Sequence, residues 1–284
     1  MNTDTINILG AGRVGKSLAK ALSMSGWEIE IIANRTMKSS TEAVKFIGAG
    51  KAVTIDSQQS PKGILLVCIP DDALKNLGVI LKNWELENLS SIIHTSGAIS
   101  SKIFDLILNL PKDVGKATLH PIKAFADPSK SFKDLKGVYF GIEGNPKGVH
   151  DALKIVKTLG GIPIEITSEQ KFLYHLSAVF SSNFLVELFW IARLLQSKCG
   201  IPDSISKDMI LKLMRGTIEN LSKLSLQKAL TGPVARGDWE LIEKEHLTLN
   251  KTFPEFVAFF DEGIKLLERL SGGMYNGYKQ DNPI

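Results

Sequence analysis

Cysteine is scarce. The 284 residues hold two, Cys68 and Cys199, with no metal-ligand spacing around either. Cys68 lies inside the apolar run ILLVCIP and Cys199 near the end of a long helical stretch. Both read as inert thiols in a reducing compartment, and no metal is expected. A strong charge of one sign is also missing. The 34 basic and 30 acidic residues leave a net +4, too little to argue for nucleic acid, although a pI near 8.9 is compatible with an anionic small molecule. There is no internal repeat and no low-complexity segment. The opening MNTDTINILGAG has an early acidic residue and no long apolar run before its glycine, so it does not read as a signal peptide and a cytoplasmic protein is expected. With 44% hydrophobic and 23% charged residues, the composition excludes disordered, collagen-like and disulfide-scaffold classes.

The length suggests about two domains. In the first half, β-branched runs alternate with helical patterns. Expected strands are INIL, EIEIIA, AVTI, GILLVCI, SIIHT, KATLH, GVYFGI and IPIEI, with helices at Arg13 to Ser25, Asp71 to Leu81 and Pro146 to Leu159. That alternation predicts an α/β Rossmann-type domain over residues 1–167, with a mainly parallel sheet covered on both faces. Beyond Thr167 no strand pattern recurs. Helices are expected from about Glu169 to Lys198 and from about Ser204, Asp238 and Phe253. Residues 168–284 therefore read as an all-helical domain. The stretch FLYHLSAVFSSNFLVELFWIARLL is apolar almost all round, but it contains His175, Asn183, Glu187 and Arg193. A spanning helix wants about 20 residues with few or no charges, so the expectation is a central helix buried by neighbours or by a second subunit. A homodimer through the helical domain is expected, with no membrane partner.

INILGAGRVGKSLAKAL places Gly10, Gly12 and Gly15 after the first strand and at the mouth of the first helix. In that context the pattern signals a dinucleotide turn formed by Gly10, Ala11, Gly12, Arg13, Val14 and Gly15. Gly10 permits the tight turn, Gly12 the close approach of a pyrophosphate, and Gly15 the packing of helix on strand. The helix N–H groups then favour the phosphate anion. About 20 residues on, where a ribose-binding carboxylate usually stands, the chain reads Asn34, Arg35, Thr36. A carboxylate would repel a 2′-phosphate, whereas Arg35 can fork onto one and stack on adenine. The corner suits NADP(H) better than NAD(H), with Thr36 and Lys38, Ser39 or Ser40 as further donors.

Ligands of an open α/β sheet sit beyond the carboxyl ends of its strands. CIPDDAL follows the fourth strand. There Pro70 stops the strand, Asp71 or Asp72 caps a helix, and Ile69 and Pro70 line the cofactor site. HTSGA follows the fifth, bringing His94, Ser96 and Gly97 near a nicotinamide. LHPIKAF follows the sixth, with His120. On the long helix His175, Ser182 and Asn183 fall within about 80° of one another at 3.6 residues per turn, a polar stripe that needs partners. Hydride transfer requires a donor at the developing charge. His120 and His175 are the candidates, with Ser96 and Asn183 beside them, and a core role for His175 is equally open. ALTGPVARGD joins two helices, with Asp238 as an N-cap and Thr231 and Arg236 free for a ligand. Lys123 or Arg236 could meet an anionic substrate.

The motifs ILGAGRVG, ANRT, VCIPDDAL, HTSGA, LHPIKAF, HLSAVFSSN and LTGPVARGD, in this order, resemble a family of NADP-dependent oxidoreductases. That family joins a Rossmann-like domain to a helical C-terminal domain of unknown function. It is similar in layout to pyrroline-5-carboxylate reductase, ketopantoate reductase and 6-phosphogluconate dehydrogenase-like proteins. The resemblance implies a helical dimerisation domain and an interdomain active site; the function expected is hydride transfer between NADP(H) and a small-molecule substrate, a small imine, keto or enoyl acid. Two departures stand against a finer assignment. The wider group's dehydrogenases carry a lysine four residues before a helix asparagine, and if Asn183 is that asparagine the position holds Val179. The proline-glycine-glycine-threonine loop of pyrroline-5-carboxylate reductases is replaced by TGPVARGD. A sensor or scaffold that binds NADP(H) without turnover is the alternative reading, and a methyltransferase a more distant one.

Overall fold

The computed structural model describes residues 4–272. All eight expected strands form. They are β1 (Thr5–Leu9), β2 (Glu28–Asn34), β3 (Lys51–Thr54), β4 (Gly63–Val67), β5 (Leu89–His94), β6 (Gly115–Pro121), β7 (Tyr139–Gly144) and β8 (Ile162–Glu165). They build one sheet in the order β3-β2-β1-β4-β5-β6-β7-β8. Every neighbouring pair is parallel except β6 with β7. The central strands are near-continuous Ile, Leu and Val because both faces are covered. The chain leaves β1 toward β2 on one side and returns to β4 on the other, so the crevice at the carboxyl ends of β1 and β4 is the topological switch point.

Helices α1 (Arg13–Met24), α2 (Met37–Ile47), α3 (Asp71–Leu74), α4 (Leu77–Ile80), α5 (Pro128–Ser131) and α6 (Pro146–Thr158) connect these strands. Leu18, Leu22, Ile47 and Ile155 pack in the core cluster on one side of the sheet. Leu74, Leu77, Trp84 and Phe104 pack in the other. The single helix expected over Asp71 to Leu81 is two short turns instead. Leu74, Leu77 and Leu81 keep their spacing of three and four across the interruption, and all three are buried. Asp71 and Asp72 are not caps. They occupy the first turn of α3 behind Pro70 and make no capping hydrogen bond.

The long helix begins as α7 (Lys171–Ala178), passes through a π-helical turn over Val179–Asn183, and continues as α8 (Phe184–Lys198). It is followed by α9 (Asp203–Lys223), α10 (Leu226–Ala229), α11 (Pro233–Arg236), α12 (Trp239–Thr252) and α13 (Val257–Ser271). Asp238 caps α12, its Oδ1 accepting from the Leu241 N–H at 3.3 Å. The chain divides into a unit ending at Leu185 and a unit beginning at Val186. Few apolar residues of the second unit are buried, Ile210, Val234, Ile242 and Leu249 among them. The long helix is not the enclosed central element expected of it within one chain: Phe180 is 61% and Val186 68% exposed. Among the described residues, Lys171–Lys198 is the one helix long and apolar enough to cross a membrane by length and composition.

Candidate functional site

The three glycines of the first turn are needed for three different reasons. Gly10 has φ +91°, and a Cβ there would lie 2.7 Å from the Cys68 carbonyl oxygen. A Cβ on Gly15 would lie 2.4 Å from the Gly10 carbonyl oxygen. Gly12 differs: a Cβ there would meet no atom within 4 Å, so its backbone is bare toward open space. Gly12 is also the N-cap of α1, and no side chain caps that end and no acidic residue lies in its first turn. Four N–H groups at a helix start need partners, and the macrodipole favours an anion there. Arg13 is exposed and Val14 half-buried beside them.

The corner after β2 is joined to this turn. Asn34 Oδ1 accepts from the Ala11 N–H at 2.8 Å, and the Asn34 N–H donates to Ser40 Oγ at 2.9 Å. Asn34 thus braces the glycine turn, and its Nδ2 is left buried with no partner. Thr36 caps α2, its Oγ1 accepting from the Ser39 N–H at 3.2 Å. Arg35 is exposed and makes no side-chain hydrogen bond among the described residues. A cavity of about 520 Å³ runs from Gly10, Ala11 and Gly12 past Ile69 and Pro70 to Asn34, Arg35, Thr36 and Ser39.

A second cluster lies at the carboxyl edge of β5 and β6. Thr118 and His120 are two apart on β6 and face the same side of the sheet. Lys171 and His175 are four apart on α7 and share a face. These faces meet at Gly97, where an added Cβ would lie 2.7 Å from both His120 Cε1 and His175 Nδ1. The His120 ring stands edge-on to His175, with centroids 5.7 Å apart, and to Tyr174 at 5.6 Å. The Nδ1 atoms of both histidines are buried without partners. Lys171 has no exposed surface. Its ammonium donates to the Ser96 carbonyl at 3.1 Å and to Thr118 Oγ1 at 3.0 Å. The Ser96 hydroxyl caps its own turn, accepting from the N–H groups of Ala98 and Ile99. His94 is fully buried against Phe104, and its Nδ1 accepts from the Ser96 N–H. It shapes the turn.

Electrostatics separate these groups. Burial pushes His120 down to about 4, with the charges of Lys171 and His175 adding to it. Burial also takes His94 to about 4, helped by Lys171. Lys171 itself is lowered to about 8 by burial, against the opposing pull of Glu143 and Asp71. Burial works against the Glu143 carboxylate, but hydrogen bonds from the Ser101 N–H and from the hydroxyls of Ser101, Ser168 and Ser100 outweigh it and keep the group below its ordinary value. Burial raises the Cys68 thiol to about 12, which leaves it inert.

Asn183 ends the π turn, is exposed, and makes no side-chain hydrogen bond among the described residues. A π turn holds more residues per turn than an α-helix, so the spacing from His175 to Ser182 and Asn183 departs from the 3.6 per turn used to place the stripe. Lys123 is engaged by Asp134 at 2.6 Å. Sequence reasoning missed Lys171, Thr118, Glu143 and Tyr174. The position four residues before Asn183 holds Val179, while the buried lysine stands four before His175. Its signal was a single cation entering an otherwise apolar helix.

Residues 3–119 match the model of a Rossmann-like domain, and residues 138–262 that of a domain of unknown function, DUF2520. A comparison with curated proteins returns no match. Among solved structures, protein TM1727 from Thermotoga maritima is 29% identical with a TM-score of 0.74, covering 95% of this chain and 100% of its own. A Bacteroides fragilis protein described as a candidate NADP oxidoreductase is 24% identical with a TM-score of 0.78, covering 94% and 98%. The 1-pyrroline-5-carboxylate reductase of Streptococcus pyogenes is 16% identical with a TM-score of 0.64, covering 94% and 99%. The chain thus matches a Rossmann-like model in its first part and the DUF2520 model in its second, the layout that its motifs resemble.

Proposed function

We propose that this chain is an NADP-dependent oxidoreductase acting on a small imine, keto or enoyl acid. The observation that carries the reading is the uncapped glycine turn at the switch point, joined through Asn34 to an exposed arginine where a ribose-binding carboxylate would otherwise stand. The N–H groups of α1 receive the pyrophosphate. Asn34 Nδ2, otherwise unpartnered, donates to a ribose oxygen. Arg35 forks onto the 2′-phosphate and Ser39 adds a donor. The oxidoreductase name of the Bacteroides fragilis relative supports the same cofactor. When bound, NADPH supplies a hydride. His120, uncharged at neutral pH, donates a hydrogen bond to the charge that develops on the acceptor's oxygen or nitrogen. His175 completes the opening opposite Gly97. The two imidazoles at this edge favour turnover over a sensor, which needs no polar groups there. Binding titrations of NADPH and NADH, followed by a keto-acid and imine panel with the tighter cofactor, test the reading. Loss of the cofactor preference would overturn it, and binding without turnover on the panel would favour the sensor.

The same reading includes a cytoplasmic homodimer through the helical domain. The second unit buries few apolar side chains, while Leu213 is 75% exposed and Trp190 52%. Exposed patches of this extent mark interaction surfaces. A second copy of the same face is favoured over a lipid bilayer, because the helix is pinned to the sheet at its first residue by the buried Lys171.

A further inference from the structure

The bonds of Lys171 do not require a lysine. Ser96 O and Thr118 Oγ1 each need one donor, and a neutral amide could supply both. What an amide lacks is charge, and a buried ammonium is costly unless compensated. The charge also has a consistent place. It enters on α7 one turn before His175, and it is tied to Thr118, two residues before His120 on the same face of β6.

We propose that Lys171 is a positioning residue whose fixed charge, anchored by Ser96 and Thr118, keeps His120 an uncharged hydrogen-bond donor toward the substrate. An imidazole in that state can still polarise a carbonyl or imine, and it places no second cation beside the ammonium. The groups facing this pair come from every neighbouring element. Glu143 on β7 and Asp71 at the start of α3 stabilise the ammonium. Glu143 is kept ionised by its serine hydroxyls and so does not remove the charge by taking the proton. His175 on α7 acts on His120 in the same direction as Lys171, and His94 on β5 feels Lys171 as well. Tyr174 is raised to about 12 by burial and brings no charge at neutral pH. The catalytic meaning of the assignment rests on the oxidoreductase reading, but its electrostatic content does not.

The test is the protonation of His120, followed through the ring resonances of histidine-labelled full-length protein between pH 4 and 8. In the wild type His120 should remain neutral down to about pH 5. Lys171→Gln keeps donors for Ser96 and Thr118, and Lys171→Met removes both donors and charge. Both should raise the proton affinity of His120 about tenfold or more, with the acid limb of kcat/KM moving in parallel. Equal titration of His120 in the wild type and in a folded Lys171→Gln variant would assign Lys171 a structural role only. Titration of wild-type His120 near the ordinary 6.5 would by itself overturn the proposal. Failure of NADPH to bind overturns the oxidoreductase reading and leaves the titration result to be judged by itself.

Discussion

Gly97 is the residue on which the two imidazoles converge, and an alanine there has nowhere to go. A Cβ 2.7 Å from both rings must push one of them aside. Gly97→Ala should therefore lower kcat about 10²-fold, comparable to His120→Ala or His175→Ala, while leaving the preference for NADPH over NADH unchanged, since Gly97 does not line the Asn34–Arg35–Thr36 corner. Steady-state kinetics with a parallel binding titration separates the two. Asn34→Asp is the converse. The acid can still accept from the Ala11 N–H, but it adds a negative charge beside the 2′-phosphate position, so NADPH should weaken and NADH should not. The histidines also set a pH dependence. His94 and His120 lie near 4 in the folded chain against an ordinary 6.5. Depressed values mean that the stability gained by keeping them neutral is full above pH 6.5 and is lost as pH falls toward 4. Denaturation midpoints should fall through that window, and His94→Gln should remove about half of the slope. Lys171, near 8 against 10.5, works higher: stability should rise with pH between those values.

At the scale of elements, the strands were legible because the sheet is buried on both faces. Runs such as INIL and GILLV are short, rich in Ile, Leu and Val and bounded by turn residues, which favours a buried strand over a helix, and the glycine turn between β1 and α1 is local chemistry. The helices were less so. Asp71 to Leu81 keeps a helical spacing of leucines but splits in two, since packing needs only the spacing and not the hydrogen-bond ladder between. The site was half legible. His120 and His175 could be named as candidates from their places, and their rings do meet, but Lys171 could not be set beside Thr118, because strand and helix meet there across a separation of some fifty residues. The π turn was invisible: VFSSN has no feature that marks an extra residue. It has a testable consequence. Deleting Ser182 should close the wide turn to α-geometry and leave the facing of α8 nearly unchanged, because that turn absorbs one extra residue. NADPH binding and the oligomeric state should both survive, as read by titration and light scattering.

For the whole molecule, the apolar residues of the second unit that lie open in one chain predict twice the monomer mass at micromolar concentration. Leu213→Lys together with Trp190→Glu should return the chain to a monomer. A monomer mass in the unsubstituted protein would contradict the helical interface. Flotation of the intact protein with lipid vesicles would instead assign that surface to a membrane. The claim on which the rest depends is that the glycine turn and the Asn34–Arg35–Thr36 corner hold NADP(H). Calorimetric titration of the full chain with NADPH and with NADH measures it directly. The expected result is NADPH at least tenfold tighter, a difference of about 1.4 kcal/mol, with Arg35→Ala erasing most of it and leaving NADH unchanged. Equal affinity for the two cofactors in the wild type, or no binding of either, would contradict it.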